Sequence, residues 1–386
     1  MKSIHLYLLL LISIFSACEQ EDITTSEVKE PKLPEQPYDY KTLKLPLNTH
    51  PGMVTFNNIT PDMIMIDPAF NGQSLSSMKV TDEGASLGRV LFYDKQLSIN
   101  NTIACGTCHH QDKAFTDGLA ISKGFEGKTT DRSSMAIINP IVQNNLFWDS
   151  RSFSIQDLSL KPVQNHIEMG MEKLHRLEDK LNNVEYYRTL FEEAYGSGRV
   201  TSEHISLALS EFVASITSSN SKFDQGNFNE LENRGRVLFD QKCGSCHAGA
   251  NFSAEDGPGG EYGVSFDNLT GTGIQNLKGT TNIGLEVVSS DQGFEGKFRI
   301  PTLRNIMLTA PYMHDGRLKT IDDVLDHYSS NIKPNVHLDK KFKDAQGRVK
   351  MISMNFAEKE AIKAFLHTLT DYTMITDPKY SDPFKY

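Results

Sequence analysis

Two five-residue sequences constrain this chain more than anything else in it: Cys105-Gly106-Thr107-Cys108-His109 and Cys243-Gly244-Ser245-Cys246-His247. Two thiols three positions apart, followed at once by an imidazole, form the attachment sequence for c-type haem. The sulfurs bond the vinyl groups of the macrocycle, and the histidine meets the iron as proximal ligand. The pattern therefore assigns Cys105, Cys108, His109, Cys243, Cys246 and His247 to two covalently bound haem c groups. Two other uses of paired cysteines fit less well. A zinc held by two knuckles needs no histidine after each second cysteine, and the two pairs lie far apart in the chain. A thioredoxin-type redox motif expects a strand–helix–strand setting, and neither pair has one.

The fifth cysteine, Cys18, belongs to the N-terminus. Lys2 precedes an apolar run from Leu6 to Phe15, then Ser16 and Ala17. This order describes an export signal, too short to span a bilayer. Phe15-Ser16-Ala17-Cys18 resembles a bacterial lipobox, whose cysteine is lipidated and becomes the new N-terminus; an ordinary signal peptide with an incidental cysteine is the other reading. The segment that follows is rich in acids, Pro and Thr to about Leu45 and reads as a solvated tether. The expectation is a lipoprotein signal over 1–18 and a flexible tether over 19–60. The protein would be exported and lipid-anchored at Cys18, on the periplasmic side or the cell surface, touching the membrane only through that anchor. Exported proteins use spare cysteines for disulfides, and here none is left over. With 39 Lys and Arg against 49 Asp and Glu, a net charge of −10, the chain lacks the basic footprint of a nucleic-acid binder. Its 21 Phe and 13 Tyr are ample for a core, which excludes global disorder.

The chain also repeats itself. Gly88-Arg89-Val90-Leu91-Phe92 precedes the first motif and Gly235-Arg236-Val237-Leu238-Phe239 the second, each expected near the end of a helix that leads into a haem loop. One cofactor site per copy argues for two related domains, over 61–225 and 226–386, divided in the polar stretch 219–229. Apolar residues at three- and four-residue spacing predict helices over Met171–Tyr195, Ser202–Ser218, Ile321–Tyr328 and Ala357–Leu369. Residues 249–296 read as a long loop. The fold expected is mostly α, two cytochrome c-like haem domains with long irregular loops.

Leu87-Gly88-Arg89-Val90-Leu91-Phe92, the first haem motif, Phe147-Trp148-Asp149, Pro162, Glu168-Met169-Gly170, Pro301-Thr302-Leu303-Arg304-Asn305 and Thr309-Ala310-Pro311-Tyr312-Met313-His314-Asp315-Gly316 occur in that order. Together they resemble the bacterial di-haem cytochrome c peroxidases, a family that includes the MauG-type enzymes. The likeness spans about residues 85–370. It implies that the first haem reacts with hydrogen peroxide and the second relays electrons to it from a small redox protein, a cytochrome c or a cupredoxin. His109 and His247 become the proximal ligands, Trp148 the bridge between the haems, and Glu168 the distal acid/base. A carboxylate with a raised pKa can take a proton from one peroxide oxygen and return one to the departing oxygen. The resemblance also implies a calcium ion between the haems, with Thr309, Pro311 and Ser133 at the ligand positions, and a homodimer among the assemblies its members form.

Three positions depart from the peroxidase pattern. Leu158 stands where a distal Gln is common. Phe125 stands where many members place a histidine on the resting reactive iron, so the first haem is expected to be five-coordinate at rest; His166 and His110 are the other candidates. The distal ligand of the second haem, Met in most peroxidases and Tyr in the MauG type, falls at Tyr328, with His327 and Met313 as alternatives. Thr320 caps a helix with Asp323 at its third position, and Ile321, Val324, Leu325 and Tyr328 share a face from which His327 is turned away. A phenolate ligand lowers the haem potential relative to Met. The readings are a peroxidase, a MauG-type oxidase that modifies residues of a partner protein, and a pure di-haem electron carrier.

Overall fold

The computed structural model describes residues 29–46, 79–143, 146–149, 151–152, 154–253, 298–334 and 338–385. Cys18, residues 19–28 and 47–60 of the expected tether, and residues 254–296 of the long loop lie outside them. The longer helices are α1 (Asp82–Tyr93), α2 (Leu174–Asn182), α3 (Glu185–Tyr195), α4 (Ser202–Ser215), α5 (Glu230–Lys242), α6 (Ile321–Asp326) and α7 (Phe356–His367). Extended pairing among the described residues is confined to isolated bridges such as His110 with Thr116. The fold is mostly α, as the sequence predicts.

Two helix crossings organise the molecule, and the repeated pentapeptide builds both. A Cβ on Gly88 would lie 1.9 Å from the backbone oxygen of Ala208 in α4, and one on Gly235 would lie 1.9 Å from that of Ala361 in α7. Only hydrogen fits at either point, so each glycine lets two helix backbones touch. One turn further on, Phe92 meets Phe212 with ring centroids 5.2 Å apart, and Phe239 meets Phe365 at 5.1 Å. The first crossing seeds a core that includes Leu87, Leu91, Phe115 and Phe191; the second seeds a smaller one with Phe252, Ile362 and Leu369.

The likeness extends beyond what the sequence displays. Asn139 and Asn305 both sit in the left-handed region, at φ 47° and 59°. Asn139 donates its N–H to Ile216 and accepts from Ser218 N–H on its side chain; Asn305 does the same with Leu369 and Asp371. Each asparagine thus ties down the chain as it leaves α4 or α7. The shared order is helix, haem motif, asparagine turn, insertion, helix. The insertion in the first half carries α2, α3 and Glu168; that in the second carries α6 and Tyr328.

Three expectations need correction. Residues 31–46 are not a free tether: Tyr40 and Leu43 are buried in the first core, and Tyr40 Oη donates to Lys379 O at 2.6 Å. Prolines and charged residues fill much of the 31–46 segment, but its leucines and tyrosines decide its position. Residues 374–380, expected in the second half, pack on the first core through Met374 and Tyr380, and Tyr93 Oη donates to Tyr380 O at 2.7 Å. The helix expected over Met171–Tyr195 is two helices, broken where Val184 turns extended, at φ −106° and ψ 115°. Val184 stays buried at the break, so the apolar spacing runs on across it.

Candidate haem sites

Each motif presents its histidine in one tautomer. His109 Nδ1–H donates to Phe115 O at 2.6 Å, and His247 Nδ1–H to Phe252 O at 3.0 Å. A carbonyl only accepts, so Nδ1 carries the proton in both rings and Nε2 keeps its lone pair for a metal. Burial disfavours the charged form of both, lowering His109 below the usual histidine range and His247 to about 4. Both imidazoles are therefore neutral at physiological pH, with Nε2 available to a metal. Phe115 and Phe252 take left-handed backbone, at φ 61° and 51°, which turns their carbonyls back to the rings.

The four motif cysteines are free thiols, and burial pushes Cys105, Cys108 and Cys243 up to about 12. Polar atoms without partners flank both motifs: Asp117 Oδ2 in the loop after the first, where its charge reaches Cys108, and Ser253 Oγ in the loop after the second. Buried polar atoms are normally bonded, so these two await a ligand group. Free paired thiols, a locked imidazole and orphaned polar atoms fit a haem at each motif.

The second loop is staked by Pro301–Asn305. Thr302 Oγ1 donates to Asn251 O at 2.5 Å and Arg304 Nε to Ala250 O at 2.8 Å. Arg304, fully buried, also grips Asp224 with both terminal nitrogens at 2.9 and 2.8 Å. Asp224 lies in the 219–229 stretch, which is thereby fixed to the second site rather than left as a loose linker.

Glu168 stands beside the first motif. Its carboxylate is close enough to disfavour ionisation of both Cys105 and Cys108. Burial raises its pKa against the pull of Arg151, and it has no hydrogen-bond partner among the described residues. Asn165 Oδ1 accepts from Ile167 and Glu168 N–H, and Phe125 N–H donates to Glu168 O at 2.9 Å. A Cβ on Gly124 would fall 2.1 Å from Ile167 O, so glycine is needed where the two loops touch. Phe125 lies against Gly170, while His166 is exposed and His110 Nε2–H donates to Thr107 O at 2.9 Å. Leu158 packs on the first core.

Trp148 ties the two motifs together. Its Nε1–H donates to Ser133 O at 3.0 Å; next to Ser133, the Ser134 hydroxyl lies 3.3 Å from His109 Nδ1 and donates to Cys108 O at 2.8 Å. On the other side Arg299 N–H donates to Trp148 O at 2.9 Å, and Pro301, two residues on, offers its carbonyl to His247. Asp149 is clamped between Arg132 at 2.6 Å and Arg151 at 2.8 Å, which fixes the loop that bears the indole. This clamp and the Ser134 contact escape sequence reading, because nothing in their spacing marks them.

Tyr328 stands beside the second motif, where Cys246 and Cys243 disfavour its ionisation and burial raises its pKa well above the tyrosine range. Its ring stacks on Phe342 at 5.8 Å. The Thr320–Asp323 capping box forms as expected, with Asp323 N–H donating to Thr320 Oγ1 at 3.1 Å. The expected placement of His327 is corrected. After Asp326 the chain widens into a π-helical turn over His327–Asn331, and His327 is buried at 5% exposure instead of turning outward. A π turn advances less per residue than 100°, so Ile321 and Tyr328 no longer share a strict α-helical face.

The expected calcium positions are the backbone carbonyls of Thr309 and Pro311 and the side chain of Ser133. Ser133 Oγ donates to Met313 O at 3.0 Å, Ser133 O accepts from Trp148, and Thr309 Oγ1 donates to Ile306 O. No three His, Cys, Asp or Glu side chains cluster to hold a metal among the described residues. Asp149 and Asp315, the buried acids nearby, are each paired with arginine.

Comparison with known proteins agrees with this arrangement. The family described as di-haem cytochrome c peroxidase matches residues 82–231. The chain is 29% identical to the methylamine utilization protein MauG of Methylophilus methylotrophus, over 66% of this chain and 74% of that one. It is also 29% identical to the cytochrome c551 peroxidase of Nitrosomonas europaea, over 74% and 79%. Among solved structures, a MauG-like protein associated with microbial copper homeostasis superposes with a TM-score of 0.70 at 32% identity, covering 80% of this chain and 95% of that one. The diheme peroxidase BthA of Burkholderia thailandensis shares the fold, with a TM-score of 0.59 at 17% identity, covering 92% and 98%.

Proposed function

Because the chain belongs to the di-haem cytochrome c peroxidase/MauG family of peroxidase-type oxidoreductases, we infer that it reduces hydrogen peroxide to water at the His109 site, with electrons entering at the His247 site from a small redox protein. The observation that carries this reading is the pairing of each motif with a different side chain: a half-buried carboxyl, Glu168, with no hydrogen-bond partner among the described residues, beside the first and a phenol, Tyr328, beside the second. Haem bound through the four cysteines and through Nε2 of His109 and His247 supplies the electron transfer to peroxide.

The chain's own residues handle the protons and the positioning. Glu168 takes a proton from one peroxide oxygen and returns one to the oxygen that departs, a task suited to a group held above the ordinary carboxylate range. Phe125 and Leu158 keep that pocket apolar, and Phe125 offers no nitrogen to block the first iron at rest. Nδ1–H of each histidine, held by its carbonyl, fixes the ring and strengthens Nε2 as a donor. Trp148, bonded toward both histidines, bridges the sites. Tyr328 as a ligand of the second haem favours the MauG-type reading, in which the same oxidising power acts on a partner protein. Among the described residues no helix is long and apolar enough to cross a membrane, and export with lipid attachment at Cys18 rests on the N-terminal sequence.

EPR and optical spectra of the oxidised protein, before and after one equivalent of peroxide, test the reading. The expected result is a high-spin ferric signal that vanishes on mixing, and a product that persists without reductant would move the assignment to the MauG type. Two low-spin haems indifferent to peroxide, even after one-electron reduction, would leave an electron carrier and sink the proposal.

A further inference from the structure

The second site has an outer wall with two unlike faces. Its inner face is apolar: Ile332, Leu338 and Phe342 form a small cluster on which Tyr328, Val349 and Ile352 pack, and Ile352 N–H donates to Tyr328 O at 2.9 Å. Its outer face is basic. Between residues 333 and 350 the chain carries Lys333, Lys340, Lys341, Lys343, Arg348 and Lys350 against Asp339 and Asp344 alone, in a protein whose net charge is −10.

The pairing of these charges sharpens the asymmetry. Asp339 is buried, and Asp344 is bonded to Arg348 at 2.8 Å. Lys333, Lys341 and Lys350 are exposed and form no ion pair among the described residues. Lys341 Nζ reaches Ser245 O at 2.5 Å and lies 3.6 Å from Cys246 Sγ, so the basic face begins at the haem motif itself. Of the nearby exposed carboxylates, Asp240 lies 3.7 Å from Arg236 and Asp326 is bonded to Lys359 at 2.5 Å. Among the described residues, the uncompensated charge around the second motif is positive.

We propose that the face formed by Lys333, Lys341 and Lys350 docks the electron donor, and that this donor is a small redox protein with an acidic patch around its own redox centre. This rests on the reading that electrons enter at the second site, and it names the class of donor. An exposed cluster of one sign raises the encounter rate of an oppositely charged partner and rejects the other, without needing a large interface. Such steering weakens as salt shortens the screening length.

The experiment uses the full haem-loaded chain and its Lys333→Glu/Lys350→Glu variant, with an acidic cupredoxin and a basic cytochrome c as donors and a neutral small-molecule reductant as control. For the acidic donor, kcat/KM should fall about tenfold between about 20 and about 200 mM salt. The variant should lose about tenfold at low salt with that donor, gain with the basic one, and keep its rate with the small reductant. A native protein that prefers the basic donor at low salt, or a variant with unchanged donor preference, overturns the proposal. Binding titrations with the same two proteins decide the surface independently. If the small reductant supports no turnover, peroxide reduction fails as a function; weaker binding of the acidic protein to the variant would still uphold the docking face.

Discussion

The two halves of this molecule use one frame for two tasks. In both, a helix bearing Gly-Arg-Val-Leu-Phe crosses a second helix at a glycine, runs toward a Cys-x-x-Cys-His motif, and is followed by a phenylalanine carbonyl that locks the histidine and an asparagine turn that ties the frame shut. The difference lies in one insertion, at the same place in each half, between the asparagine and the second helix. In the first half it brings a half-buried carboxyl to the cysteines; in the second it brings a phenol under a basic cover. The frame supplies an equivalent metal-ready imidazole twice, so chemistry must be assigned from the insertions.

Replacing Glu168 by Gln should break that asymmetry most. We expect peroxide turnover to drop by about 10²–10⁴ in kcat, the range for losing a general acid–base group, with both haem spectra unchanged. The stability effect has the opposite sign. A carboxyl whose folded-state pKa is raised stabilises the fold below its unfolded pKa, and that contribution is lost as pH rises through the folded value. Glu168→Gln should therefore raise Tm at neutral pH and leave it unchanged near pH ~4, the ordinary carboxylate range; thermal melts at both pH values check this. A variant that loses no activity would remove the functional distinction between the halves.

The crossings test the likeness itself. Gly88→Ala and Gly235→Ala each gain up to about 1 kcal/mol of helix propensity, but each drives a methyl into a backbone oxygen, at about 1–3 kcal/mol or more for overpacking. Both should destabilise the fold in urea titrations, and a harmless Gly235→Ala would show that the second crossing is not built like the first. Tyr328→Met should raise the potential of the second haem alone, by about a tenth of a volt within the ~0.8 V that axial ligation spans, as a spectroelectrochemical titration reads. The smallest effect is expected from Ser134→Ala, which leaves the Phe115 carbonyl on His109. It should cost less than about 1 kcal/mol and move only the first haem's spectrum.

The frame was legible in the sequence where it is written in side chains. The Thr320–Asp323 cap is legible because it acts within a few residues, and the pentapeptide because it repeats, although its contacts reach Ala208 and Ala361 far along the chain. Asn139 and Asn305 were not legible: their role lies in left-handed backbone and in bonds to residues more than sixty positions away. His327 was misplaced because a π turn changes the period that helix-face arguments assume. Tyr40 and Tyr380 were hidden in polar end segments, where composition suggests solvent and only the tertiary fold supplies a burial site.

That placement of Tyr380 bears on how the protein is made. Tyr380 Oη donates to Ser215 O at 2.5 Å, its ring meets Phe115 and Phe212, and Gln111, beside the first motif, holds Met374 O and Asp377 O. The wall behind the first motif is thus completed by a segment 263 to 266 residues downstream of Gln111. At about 5–20 residues per second, roughly 15 to 55 s separate the synthesis of His109 from that of Tyr380. Until that segment has been made, the core behind Cys105 and Cys108 lacks one of its walls.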